Sequence, residues 1–446
     1  IKGTYTLSVD APADWKVIAN EPSTESREAS GRVHVRFAKT KPLSTYLVFL
    51  GAGPFVEWSD TKGEIPLYVY ARKSLAKHLD VEKLFDTSRK GLEFFGKYFA
   101  HPYPFSKFGL IFIPEFVAGA MENPGAISMN ERMIFRGQVT RTQLDDRDNT
   151  ILHEMAHMWF GDLVTMNWWN DLWLNESFAT YLASLAMDRA LKAPSAWQDF
   201  FSSKTWGYWQ DQLVTTHPIE TDVPDTRVAK GNFDGITYAK GAAALKQLHY
   251  FAGEDGFREG LRSYFKKYAF KNTSRKDFVD EIARASKLDL TAWTKSWLQT
   301  AGPGRVQANW SCGKDGSLKS FAIEQKKSSS GHLSPHRTLV GFFKKTASGS
   351  LQLQGSVAVT YSKALTPVRV LKDTPCPDFV YPNLEDQDYA LFSLDPISVQ
   401  AAGLALNGGL EAPLPRLMIW STLAQMVRDT DLKVRDYFDL ALEGLA

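Results

Sequence analysis

The sequence predicts a multidomain α+β protein, and three observations carry that expectation. At 446 residues the chain is longer than one typical domain. Its patterning passes through four regimes: strand-like, mixed strands then helices, short alternating strands, and finally an amphipathic helical run. The hydrophobic share of 44% and aromatic share of 13% suffice for several separate cores.

Residues 1–62 contain the strand-like stretches TYTLSVDAP, VHVRFA and TYLVFLGAG and read as the end of a β-domain. Residues 63–301 change from strands to helices and close on WTKSWLQT and the breaker Ala-Gly-Pro-Gly. Within them FGLIFI at 108–113 is a short apolar strand, and residues 117–123 are expected to run along the sheet edge beside it. The stretch 150–160 reads as a helix that Gly161 and the following polar residues close, and 171–185 reads as a second helix. Residues 302–398 alternate in short strands with turn signals at Lys314-Asp315-Gly316 and Ser348-Gly349, the pattern of a small β-sandwich. Residues 399–446 carry the amphipathic runs RLMIWSTLAQMV and YFDLALEGLA.

Composition excludes several classes. A net charge of +2, with no basic stripe interleaved with aromatics, argues against nucleic acid. No apolar run approaches the roughly eighteen residues of a membrane helix. Cys312 and Cys376 stand far from the histidine motif described next, so neither a thiolate metal site nor a disulfide framework is indicated. They would pair in the later β-region in an oxidising compartment, while their scarcity favours a reducing, cytoplasmic one. His332 and His336 lie four apart, but Pro335 separates them in a Ser-rich stretch, and they read as solvated. Trp159, Trp168, Trp169 and Trp173 read as core or pocket-wall aromatics.

The chemistry concentrates in His153-Glu154-Met155-Ala156-His157, followed by Glu176 on the next helix. Histidines at i and i+4 project from one face of a helix, where both reach a single metal. Two imidazoles and a carboxylate leave the fourth position of a tetrahedral Zn2+ open, which is the catalytic pattern. Glu154, in the same helix but outside the ligand set, is placed to act as general base. Upstream stands Gly119-Ala120-Met121-Glu122-Asn123 at the expected sheet edge. An edge strand has free backbone groups for an extended peptide. Glu122 there offers a carboxylate to a terminal ammonium.

GAMEN, HExxH with its distant glutamate, and Ile236-Thr237-Tyr238-Ala239-Lys240-Gly241-Ala242 occur in one order along the chain. Together with the longer run HEMAHMWFGDLVTMNWWNDLWLNESFA, they resemble the M1 family of zinc aminopeptidases, of the aminopeptidase N type. The resemblance implies a thermolysin-like catalytic domain at 63–301, one Zn2+ on His153, His157 and Glu176, and Tyr238 as donor to the oxyanion. It implies that Gly119, Ala120, Met121, Glu122 and Asn123 bind substrate, with Ala118 lining the pocket for the first side chain. A small residue at 118 favours bulky apolar or basic N-terminal residues. It also implies peptide substrates with a free N-terminus, residues 399–446 as the start of a helical domain, and coverage of about half of such a protein. Oligomeric state is not legible. Two other classes share parts of the pattern: a thermolysin-like endopeptidase or an epoxide and peptide hydrolase on the same scaffold, and a noncatalytic relative. GAMEN argues against the endopeptidase, and the intact motif residues argue against the noncatalytic relative.

Overall fold

A computed structural model describes residues 1–347, 349–369, 374–410 and 412–443. Ser348 of the expected turn and the last three residues of the terminal helical run lie outside the described residues. The protein mixes several sheets with helices in two compact units. The first comprises Ile1–Ala196 and Arg258–Ala285, the second Trp197–Phe257 and Ser286–Ala446.

In the first unit the opening residues form small antiparallel sheets. Ser8–Pro12 and Ser23–Ala29 flank Arg32–Phe37, and Lys16–Ala19 pairs with Leu50–Gly53. The main sheet has five strands in the order Ala120–Met121, Ile127–Asn130, Phe108–Ile113, Leu67–Arg72, Phe55–Asp60. Phe108–Ile113 is parallel to both neighbours, as its unbroken apolar run requires of a strand buried on both faces. The Ala120–Met121 strand lies at the sheet edge, but its neighbour is Ile127–Asn130, antiparallel, rather than Phe108–Ile113. The strand is short because Asn130 holds the preceding loop, its side-chain amide donating to the Phe116 and Ala118 carbonyls. Strands 55–60 and 67–72 pair directly, so residues on both sides of position 62 share one sheet.

Helix α1 (Val81–Phe99), α2 (Arg141–His157) and α3 (Trp173–Arg189) complete this unit with the segment 258–285. α2 begins at a reciprocal cap in which Thr140 and Gln143 satisfy each other's backbone N–H groups. It runs nine residues earlier than its histidine motif suggested and stops at His157. α3 is buried over most of its length, polar Asn175, Glu176, Ser177 and Ser184 included. Aromatics lock the helices: Phe160 stacks on Phe178 at 3.9 Å, and Phe99 packs on Trp159 at 5.4 Å. Trp159 and Trp173 are buried as expected, whereas Trp168 stands exposed.

The second unit contains all but the first residue of α4 (Ala196–Asp211), shorter helices, and two sheets built from residues 305–393. Arg305–Cys312 pairs with Leu318–Lys326, and His336–Lys345 with Leu351–Tyr361, both antiparallel. Val306, Phe321 and Ile323 from one sheet share a core with Val340, Val359 and Tyr361 from the other. Cys312 and Cys376 form a disulfide, realising the pairing that the sequence left conditional. His336 corrects its sequence reading: it is buried, and its Nδ1 lies 2.7 Å from Asp388 Oδ1. The loop around Pro335 hid that it opens a strand. Asp388 also accepts from Tyr361 at 2.8 Å, so the imidazole is packed into a polar network inside the core.

Candidate active site

The site of the first unit is built by the end of α2, the start of α3 and the edge strand. On α2, His153 and His157 bring their Nε2 atoms to 3.1 Å of each other. Each Nε2 lies 3.4 Å from Glu176 Oε2 on α3. Ligands at about 2.05 Å from a tetrahedral centre are about 3.3 Å apart, so these separations are the edges of such a tetrahedron. His157 Nδ1 donates to the Phe160 carbonyl at 2.9 Å, which leaves its Nε2 with the lone pair a metal needs. Gly161, at φ +126°, lets the chain leave α2, and a Cβ there would meet the Asn175 amide at 3.2 Å. The glycine therefore admits the residue preceding Glu176 against the end of α2.

Glu154 and Glu122 complete the cluster. One ligand-type atom from each of Glu122, Glu154 and His157 lies within 4.8 Å of the others. Both carboxylates are buried, and Glu154 Oε2 has no hydrogen-bond partner among the described residues. Burial pushes the Glu154 and Glu122 carboxyls above the usual range, with the nearby His157 charge opposing. Burial also disfavours ionised Glu176, but His157 and His153 overcome it and hold that carboxyl below the usual range. Desolvation lowers His153. It would lower His157 as well, yet Glu122 and Glu176 push that imidazole up. Asp162, at 0% exposure, adds a further carboxyl whose two oxygens have no hydrogen-bond partner among the described residues, raised by burial and by Glu122.

Four buried acids thus face two imidazoles, and a divalent cation is the charge this donor set calls for. His153, His157 and Glu176 fit it by ligand type and separation, and His157 also by its second-sphere hydrogen bond.

The substrate-binding segment expected at 118–123 is arranged around the same cluster. Ala118 is exposed, Gly119, Ala120 and Met121 are half-buried, and Glu122 and Asn123 are buried. The Gly119 carbonyl accepts from the Asn130 N–H at 2.9 Å. Asn123 donates to the Leu47 carbonyl at 3.3 Å and accepts from Ser128 at 3.0 Å. Gly125, at φ +70°, turns the chain where a Cβ would strike the Asn20 carbonyl oxygen.

Tyr238 belongs to the second unit. It sits half-buried in a π-helical turn, Ile236–Lys240, with the rings of Trp206 and Phe233 each 6.4 Å away. Asp234 accepts from the N–H groups of Ile236 and Thr237 at 3.0 Å, and Lys240 reaches Asp211 at 2.9 Å, so the turn is held at both ends. Turns of this kind recur at functional sites.

Sequence reasoning passes over Tyr46, Asn175 and Asp162. Asn175 is adjacent to a candidate ligand, which is a signal, but Tyr46 is brought to the site from far along the chain. Asn175 Nδ2 donates to the Tyr46 hydroxyl at 3.3 Å.

A candidate metal centre is what this donor set defines. Residues 84–297 match the peptidase family M1 domain, and the chain belongs to that family. It is 40% identical to aminopeptidase N of Streptomyces lividans, across all of this chain and 53% of that protein. It is 36% identical to the leucyl aminopeptidase of Saccharolobus solfataricus, over 72% of this chain and 40% of that protein. It is also 36% identical to the Tricorn protease-interacting factor F2 of Thermoplasma volcanium, over 73% of this chain and 40% of that one. The chain spans about half the length of the first of these relatives and less of the others.

Proposed function

We propose that this chain carries the catalytic centre of a zinc aminopeptidase that removes N-terminal residues from peptides. The observation that carries the reading is the convergence of His153, His157 and Glu176 at ligand spacing beside two further buried carboxylates, Glu154 and Glu122. His153, His157 and Glu176 would hold one Zn2+. Bound there, zinc supplies a Lewis acid that lowers the pKa of water from about 15.7 towards 7 and polarises the scissile carbonyl.

The chain's own residues do the rest. Glu154, with an oxygen free of hydrogen-bond partners among the described residues, takes the proton of the attacking water and returns it to the leaving amine. Glu122 pairs with the substrate's terminal ammonium, so only a peptide with a free N-terminus is held in register. Gly119 and Ala120 offer edge-strand backbone to the extended peptide, with Met121 and Asn123 shaping that edge. Exposed Ala118 leaves room for large first side chains. Tyr238 donates to the developing oxyanion, a contribution of about 3 kcal/mol or more for donors of this type. The finer architecture we infer is a thermolysin-like fold over 63–301, a β-sandwich over 302–398, and the beginning of a helical domain from 399. The shared core of the two sheets favours the sandwich.

Among the described residues no helix is long and apolar enough to cross a membrane. The cysteine count argued for a reducing, cytoplasmic setting, whereas a bonded pair persists in an oxidising one. Thiol titration of protein purified without reductant decides between them.

The purified chain, its zinc content measured, should cleave leucine p-nitroanilide, spare the N-acetylated compound, and lose activity to a chelator. Equal cleavage of both compounds would replace the aminopeptidase reading with an endopeptidase one. Chelator-resistant turnover would remove the metal from the chemistry.

A further inference from the structure

Resting on Tyr238 as the oxyanion donor, we propose that His217 is a positioning residue that, while it carries its proton, holds the turn bearing Tyr238 in place through Asp234. The His217 ring has an acceptor at each nitrogen: Nδ1 lies 2.7 Å from the Pro218 carbonyl oxygen, and Nε2 lies 2.9 Å from Asp234 Oδ2. A neutral imidazole has one N–H and would turn a lone pair towards one of these oxygens, whereas the imidazolium donates to both. Each side chain of the pair is 19% exposed, so solvent screens the two charges only in part. Burial by itself would push the imidazole down, but the bonds to Asp234 and Pro218 and the Asp234 charge outweigh it and push it up, against the Lys240 charge.

The other oxygen of Asp234 serves the turn. Oδ1 accepts from the Ile236 and Thr237 N–H groups at 3.0 Å, and the Asp234 carbonyl accepts from the Tyr238 N–H at 2.9 Å. One residue thus caps Ile236–Lys240 and fixes the backbone of Tyr238 itself. The stretch carrying His217 is fixed in turn: Thr216 Oγ1 donates to Asp211 Oδ1 at 2.7 Å, and the same carboxylate accepts from Lys240 Nζ at 2.9 Å. The two ends of the turn are therefore tied to one short stretch, 211–217, by two ion pairs, His217–Asp234 and Lys240–Asp211. The second pair is enclosed, while the first contains the side chain whose charge changes nearest neutral pH. Asp234 faces the imidazole directly, and Lys240 acts on it from the far end of the turn. Capping the turn needs only a carboxylate. Fixing the orientation of that carboxylate needs the imidazolium.

Profiles of kcat and KM against pH, with leucine p-nitroanilide and zinc-loaded protein, test the assignment. His217→Gln presents an amide N–H to Asp234 but carries no charge at any pH, and so imitates the deprotonated imidazole. At about pH 6 it should lower kcat on the order of ten-fold with KM within about two-fold, as expected when a transition-state donor is displaced. The ratio of parent to variant kcat should fall towards one as the pH rises to about 9, because the parent then loses the same charge. Taking the ratio cancels the titrations common to both proteins. Asp234→Asn keeps an oxygen for the cap and removes the charge that holds the imidazolium, so it should flatten the profile in the same way, and the test does not hinge on one variant folding. In the Tyr238→Phe background His217→Gln should change kcat by less than about two-fold. A ratio independent of pH, or a kcat loss that persists in the Tyr238→Phe background, would overturn the positioning role while leaving Tyr238 as donor. If Tyr238→Phe itself leaves kcat unchanged, the donor reading falls and the role of His217 falls with it.

Discussion

Glu154 and Glu176 carry the same side chain a short distance apart, and their surroundings give them opposite tendencies. Two imidazole nitrogens 3.4 Å from its Oε2 keep Glu176 ionised, as a ligand must be. Glu154 has an oxygen with no hydrogen-bond partner among the described residues, and burial favours its protonated form, as suits a group that collects and returns a proton. Glu154→Gln should therefore retain zinc at the parent level by elemental analysis while kcat falls on the order of 100-fold or more. Lost zinc would make it a ligand instead. Away from the site, burial pushes Lys107 down from 10.5 to about 8, against the attraction of Glu21 and Glu57. Its Nζ donates to the Gly125 carbonyl at 2.5 Å, next to the GAMEN segment. Between pH 8 and 10.5 the unfolded chain then binds more protons than the folded one, and this group makes stability rise with pH. In Lys107→Met that slope is absent, so the melting temperature of the parent minus that of the variant should climb from pH 8 to pH 10. A constant difference would show that folding leaves the lysine's proton affinity unchanged.

At the scale of elements, the metal-site helices depend on their ends and their aromatic seam. α2 starts at the Thr140 and Gln143 capping box, far from the histidines it presents. Thr140→Ala should cost about 1 kcal/mol in denaturant unfolding, with the site geometry retained. The Phe160–Phe178 stack joins the turn after His157 to α3, both rings fully buried. Phe178→Ala should cost about 3–5 kcal/mol and loosen the distance between His157 and Glu176, read as weaker zinc retention. An unaffected zinc affinity would show that α3 is held by other contacts. The edge strand was legible in GAMEN, but its neighbour was not. Ile127–Asn130 is a four-residue strand with no strong alternation, and only pairing with Phe108–Ile113 and Ala120–Met121 makes it one.

At the scale of the whole molecule, the second unit is stapled by the Cys312–Cys376 disulfide across 64 residues of sequence. Chain entropy alone assigns a loop of that length about 4 kcal/mol. The double variant Cys312→Ser with Cys376→Ser should melt at a lower temperature than the oxidised parent and equal the reduced parent. No difference would mean that the surrounding sheets already hold the two positions together. The same unit buries Lys204 against Asp386, and Lys246 near both Asp386 and the Glu385 carbonyl, which joins its helices to the loop at 383–388.

The sequence by itself determined the family and marked the candidate metal-ligand set and the candidate base beside it. Those signals are local: i and i+4 spacing on one helix, and short motifs whose residue types already state their chemistry. It also marked the broad order of strands and helices, because hydrophobic periodicity is read within a few residues. Only the tertiary structure decided that Tyr46 meets Asn175, that His336 is buried on Asp388, and that the Asp162 carboxyl is enclosed with no hydrogen-bond partner among the described residues. Each of those facts joins residues distant in sequence or depends on what covers a side chain. Neither spacing nor composition carries that information, since it arises when separate segments pack and exclude water.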